Sequence, residues 1–218
     1  MSFPGFQELP RGGRDGQVQR VRGVRTAWDY PQSLNDVMLA PTHTIAETMP
    51  RWAAGTDDGG VFSNSAWLYS TLIALPGGAS ITRIAFSSRT TAANTPTFQW
   101  FAIYDTQDPT VPRLMACTLD DGATAWAAQT EKTLGLRGGS WIVPESGLYY
   151  VGEYVVATAR PSLACAAAST SAGRPPGNTS IATMRLDAIG GGLATAPGTL
   201  NNGSLQTNGT GGIYARVL

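Results

Sequence analysis

The sequence predicts an all-β fold, an antiparallel β-sandwich or jelly roll preceded by an extended N-terminal arm with at most one short helix. Three observations carry that expectation. Aromatic and β-branched residues gather in short runs bounded by Pro, Gly or Asp, as in Phe98–Asp105 and Trp141–Val156, which suits a pleated, half-buried surface. Turn signals recur between the runs at Pro76-Gly77-Gly78 and Asp120-Asp121-Gly122. Finally, neither side of the best runs is polar. Strand alternation puts Phe98, Trp100, Ala102 and Tyr104 on one face and Gln99, Phe101 and Ile103 on the other. In the later run Leu148, Tyr150, Tyr154 and Val156 oppose Tyr149, Val151, Glu153 and Val155. Such strands need cover on both sides, from a second sheet or from a neighbouring subunit.

Taken in order, residues 1–60 read as an N-terminal anchoring arm and linker, and residues 61–218 as the β-sandwich domain. Five of the fourteen arginines (Arg11, Arg14, Arg20, Arg22 and Arg25) fall in the first 25 residues, among five glycines and with no helical apolar stripe. A segment of that composition buries too little apolar surface alone to offset the cost of ordering its backbone. Three readings stay open: a solvated tail, an arm ordered by lying on another protein, and a nucleic-acid contact. In the second, the arginine forks meet carboxylates while Phe3, Phe6, Val18, Val21 and Trp28 serve as anchors. In the third, arginines accompanied by one lysine in the whole chain leave a weak footprint. Pro31–Leu39 has room for one short helix closed by Pro41, and Thr56–Gly60 ends the linker as a turn.

In the domain, Ala66–Leu75 alternates Trp67, Tyr69, Thr71 and Ile73 against Leu68, Ser70 and Leu72, as a first long strand. Ile81–Ser87 follows across Pro76-Gly77-Gly78 as its expected hairpin partner. Further strands are expected at Phe98–Tyr104, Leu114–Leu119, Thr133–Leu136, Trp141–Val143, Gly147–Thr158 and Leu163–Ala167, with a helical turn over Ala123–Gln129. Residues 169–212 are a Gly, Thr, Ser, Asn and Ala mixture in which only Ile181–Leu186 is strand-like, and Gly212–Leu218 returns to the sheet.

The order Leu75-Pro76-Gly77-Gly78, Ile81-Thr82-Arg83-Ile84-Ala85-Phe86, Phe98-Gln99-Trp100-Phe101-Ala102-Ile103-Tyr104-Asp105, Ala125-Trp126-Ala127-Ala128-Gln129-Thr130-Glu131-Lys132-Thr133-Leu134 and Gly147-Leu148-Tyr149-Tyr150-Val151-Gly152, closed by Pro161-Ser162-Leu163-Ala164, carries a resemblance. It resembles the β-sandwich, jelly-roll-like virion surface proteins of tailed bacteriophages of actinobacteria, of head-fibre or decoration, minor-tail or tail-fibre type. The resemblance spans about residues 62–168, echoes loosely to the C-terminus, and does not reach the first sixty residues. It implies a virion protein assembled in the host cytoplasm whose partners are other virion proteins, either a major capsid protein or a tail component.

Little in the residues points to catalysis. One histidine, His43, lies between prolines in the linker, and a nucleophile relay needs an imidazole beside Ser or Cys. Cys117, Cys165 and His43 are too few and too scattered for zinc, and the two cysteines read as small buried residues on strands. Asp57-Asp58, Asp105 with Asp108, and Asp120-Asp121 lie beside Gly or Pro, where Asp forms turns. The alternatives for them are a structural calcium ion and, less favoured, a glycosidase pair. No cofactor is implied. Trp67, Trp100, Trp141, Tyr149 and Tyr154 are candidate core or subunit-interface aromatics. With Trp126 and Tyr150 they are the alternative candidates for a sugar-stacking platform. Net charge is zero and charged residues make up 14%, so neither nucleic acid nor membrane is an expected partner. No apolar run approaches the roughly 18 residues of a membrane span. The N-terminus lacks the layout of a secretion signal. The expected function is a non-enzymatic, surface-displayed virion protein, a capsid decoration or head fibre. It is expected to be held by its arm and trimeric through its sandwich. The alternative is a tail-fibre or minor-tail module binding a host receptor or surface glycan.

Overall fold

The computed structural model describes residues 18–22, 25–29, 44–49, 53–57, 65–108, 111–122, 124–166, 185–189, 193–200, 205–206 and 212–218. They contain sixteen strands and no α-helix. In order these are β1 (Val18–Arg22), β2 (Arg25–Asp29), β3 (Ala46–Glu47), β4 (Thr56–Asp57), β5 (Trp67–Leu75) and β6 (Ser80–Ile81). Next come β7 (Arg83–Ser87), β8 (Phe98–Tyr104), β9 (Leu114–Cys117), β10 (Glu131–Gly135) and β11 (Trp141–Ile142). The last are β12 (Gly147–Val156), β13 (Ala164–Cys165), β14 (Arg185–Ile189), β15 (Leu205–Gln206) and β16 (Ala215–Val217).

The chain divides into two compact units, residues 1–40 and 41–218. In the first, β1 and β2 pair antiparallel, with Arg20 opposite Ala27, Arg22 opposite Arg25 and Gln19 opposite Trp28. The span read as an extended arm thus contains an antiparallel strand pair, favoured by the Val, Thr and Trp residues it carries. Phe3, Phe6, Arg11, Arg14, the Pro31–Leu39 helix and His43 lie outside the described residues.

The second unit is an all-β sandwich. Its larger sheet has six strands in the order β15-β14-β5-β12-β8-β9, and its smaller has four, β10-β7-β16-β3. β12 is the axis of the larger sheet. Nine of its residues pair antiparallel with β5, from Gly147–Leu75 to Val155–Trp67, and its other edge pairs with β8 from Tyr150–Tyr104 to Val156–Phe98. Between the sheets lies the main core: Tyr69, Ile73, Phe101, Ile103, Val151 and Val155 from the larger against Ile84, Phe86, Ala215 and Val217 from the smaller. Each fully buried side chain of this size contributes about 1.5–3 kcal/mol by leaving water. β3 and β4 belong to this unit, pairing with β16 and β13, so sandwich pairing begins inside the span expected to be linker.

Other expectations need correction. Pro76-Gly77-Gly78 does not close a hairpin. Both edges of β5 are taken by β12 and β14, and β7 lies in the smaller sheet between β10 and β16. The turn is a corner between sheets, stitched by a short ribbon of β6 with β11. Of the helical turn expected at Ala123–Gln129, the described residues 124–129 form none, because Trp126 is buried and bridges Ala93, whose N–H donates to the Trp126 carbonyl at 2.9 Å. Of the strand expected at Ile181–Leu186, residues 181–184 lie outside the described residues, and a strand runs over Arg185–Ile189. The final strand does return to the sheet, as β16.

Candidate functional site

The outer face of the larger sheet carries a second core of Leu68, Trp100, Ala102, Tyr104, Tyr150, Tyr154 and Leu200. Trp100 and Tyr154 are register partners and stack with ring centres 4.5 Å apart, 13° from parallel. Residues 193–200 cross this face as a strap, tied down by the polar tips of the rings beneath. Trp100 Nε1 donates to the Leu193 carbonyl at 2.9 Å, and the Leu193 N–H donates to the Tyr154 hydroxyl at 3.0 Å. Tyr104 donates to the Pro197 carbonyl at 3.3 Å, and the far end is held by the Leu114 N–H on Gly198 and the Leu200 N–H on Pro112. Burial pushes the Tyr104 and Tyr150 hydroxyls up from the usual phenol range. Trp100, Trp126, Tyr149, Tyr150 and Tyr154 are therefore buried by their own chain and form no exposed sugar platform. Trp67 and Trp141 are half-buried on the main core, Trp141 meeting Tyr149 edge-on at 5.6 Å.

Two polar groups sit inside the sandwich. Glu153 and Arg160 form an ion pair with both side chains almost wholly buried, and the Arg160 guanidinium lies 4.3 Å from the centre of the Tyr69 ring. Lys132, the chain's one lysine, directs its ammonium at Asp121 (2.7 Å), Thr124 O (3.0 Å) and Gln99 Oε1 (3.1 Å). The Gln99 amide in turn donates to Gly122 O at 2.9 Å and Thr124 O at 2.6 Å. All three ammonium protons have acceptors, so the group serves as a brace. Asp120 and Asp105 act as turn formers, Asp120 accepting from the Gln99 and Gly122 N–H groups and Asp105 from the Arg113 N–H. Among the described residues no group of three His, Cys, Asp or Glu converges as metal ligands. Cys117 and Cys165 are free thiols on opposite sides of the larger sheet, and burial raises the Cys117 thiol.

A cleft of about 350 Å³ opens beside the smaller sheet. Ser87–Arg89 and Gln129–Glu131 line it side by side as hydrogen-bonded neighbours, and Ala54, Ala164 and Tyr214 complete the lining. Ser88 knits the two segments together. Its hydroxyl lies 2.6 Å from Ala127 O and 3.0 Å from Thr130 O, and it accepts the Thr130 N–H at 3.1 Å. The Gln129 N–H donates to Arg89 O at 2.7 Å, holding Gln129 in the left-handed region at φ 56°. Arg89 donates through Nη2 to Gly55 O at 2.6 Å. Glu131 is gripped by the Arg216 fork, with Nε to Oε2 at 2.7 Å and Nη2 to Oε1 at 2.5 Å. Sequence reasoning missed this cleft, since its residues come from five separate segments and none forms a motif. No known protein family, curated protein or solved structure matches the chain.

Proposed function

We propose that this chain is a non-enzymatic structural protein of a tailed-bacteriophage virion, displayed on the particle surface as a capsid decoration or head fibre. In this reading the N-terminal unit fastens the protein to another virion protein, and the sandwich stands outward as a homotrimer. The observation that carries it is the division of labour along the chain. One unit is a sandwich that closes both faces of its main sheet with its own residues, and the other is a separate N-terminal unit that holds five of the fourteen arginines. The engagement of Lys132, Glu153 and Arg160 in internal pairs agrees with a scaffold rather than a catalyst. The stacking of Trp100 and Tyr154 beneath the strap favours display over the alternative of a glycan-stacking tip built on those rings.

The test is incorporation. Virions carrying the full chain are purified beside virions in which Arg20, Arg22 and Arg25 are replaced by Glu, and the protein is quantified on the particles. The expectation is loss of the variant from particles while its sandwich stays folded. Absence of the wild-type chain from virions, or undiminished incorporation of the variant, refutes the proposal.

A further inference from the structure

We propose that the cleft lined by Ser87–Arg89, Gln129–Glu131, Ala54, Ala164 and Tyr214 binds a carboxylate-bearing sugar of hexuronate type. The inference concerns the cleft alone and holds or fails independently of any place on a virion. Two cationic side chains among the described residues stand at or beside the cleft, with different partners: Arg216 forks Glu131 and neutralises it, while Arg89 gives its side-chain hydrogen bond among those residues to a neutral carbonyl, Gly55 O. A guanidinium held this way keeps most of its donor fork, which matches a carboxylate in two-point geometry.

The surroundings set the rest of the ligand. Beside Arg89 stand the Ser87 hydroxyl and the Gln129 amide, neutral groups that both donate and accept, as a ring of sugar hydroxyls requires. Ala54, Ala164 and the Tyr214 ring, which cluster together, supply the apolar part of the lining for the C–H face of a pyranose. The volume, about 350 Å³, falls at the small end of ligand sites. The lining is also built in advance. A non-glycine residue in the left-handed region is strained, and such strain persists where surrounding bonds over-determine it. Here the Ser88 hydroxyl and the Gln129–Arg89 backbone bond do so, and they hold Gln129 beside Arg89.

The experiment titrates the full-length protein with sodium glucuronate, glucose and sodium acetate at low ionic strength, by calorimetry and by indole fluorescence. Trp126 is a suitable reporter because its Nε1 donates to the lining at Thr130 O, 3.3 Å away. The expected result is saturable glucuronate binding about tenfold tighter than either glucose or acetate, weakening as salt is added. Arg89→Gln should lose that tenfold. Gln129→Ala, on an exposed side chain, should lose severalfold with its melting curve intact, and keeps the proposal testable if Arg89→Gln fails to fold. Absence of saturable glucuronate binding overturns the site. Equal binding of glucose overturns the role of Arg89, and equal binding of acetate overturns the assignment to a sugar.

Discussion

Replacing Gly152 by Ala tests the packing of the sandwich at its axis. Gly152 lies in β12 between Ser70 of β5 and Ala102 of β8. A Cβ placed there comes 2.9 Å from Leu68 Cδ1, 3.0 Å from Ser70 Cβ and 3.3 Å from Tyr69 O. Ordinary carbon contacts are about 3.5–4.0 Å. The Leu68 tip can swing aside, but Ser70 Cβ and Tyr69 O are fixed to a strand paired on both edges, so the sheet itself must shift. Overpacking of this kind costs about 1–3 kcal/mol. In a chain of this length each kcal/mol lowers the melting temperature by about 2–4 °C, so a cost near 2 kcal/mol predicts a fall of roughly 4–8 °C. Gly135→Ala is the control. It is also a strand glycine, yet its added Cβ meets nothing within 4 Å, and relief of backbone entropy should leave that variant neutral or stabler by about 0.5–1 kcal/mol. The two variants should move in opposite directions, or at least differ clearly, in calorimetric melts. A Gly152→Ala protein that melts at or above wild type would show that the strands have slack at this point and would refute the reasoning.

Three further outcomes follow from the interior polar groups. Arg160→Met leaves Glu153 buried without its cation and should cost about 3–5 kcal/mol in urea unfolding, while the double variant Glu153→Leu, Arg160→Met should recover most of it. Tyr154→Phe removes the acceptor of the Leu193 N–H, at about 1–3 kcal/mol; amide exchange should quicken over residues 193–200 and stay unchanged at β7. Burial raises the hydroxyl pKa of Tyr104, Tyr150 and Tyr149, the last helped by Glu145. Their stabilising effect is complete below the unfolded phenol value of about 10 and diminishes above it, where the unfolded chain releases protons that the native chain keeps. The urea midpoint should therefore fall between pH 9 and 11, roughly, with tyrosinate absorbance appearing late.

The sequence made some of this legible for a definite reason. The faces of β5, β8 and β12 could be assigned because strand alternation is strict, and every inward or outward placement of Phe98–Tyr104 and Leu148–Val156 follows it. Apolar residues on both faces correctly required two covers. Sheet membership was not legible. Pro-Gly-Gly reverses the chain whether or not the next strand pairs with the last, and long-range pairing with β12 and β14 decided that β5 and β7 would part. The helical turn at Ala123–Gln129 gave way to the burial of Trp126, a tertiary term larger than local propensity. The Gln99–Lys132 brace left one hint, a glutamine amid apolar residues of a strand, but its partner lies 33 positions away.

The strap changes what the aromatic content means. Rings on an outer sheet face usually invite a second subunit, and a neighbouring molecule was one of the two covers the sequence allowed. Here residues 193–200 take that place, and their backbone satisfies the indole N–H of Trp100 and binds the hydroxyls of Tyr104 and Tyr154. A ring whose apolar body is covered and whose polar tip is bonded offers a partner almost nothing. Any homotrimer of the sandwich must then draw its apolar contact from elsewhere. The large apolar side chains exposed among the described residues are Ile142 (65%), Leu119 (60%) and Leu148 (53%). Full burial of three such residues yields only about 5–9 kcal/mol by area, against an association cost of about 4–15 kcal/mol in lost rotation and translation. Among the described residues, those three side chains alone would make a marginal contact, so the proposed trimer needs contacts beyond them.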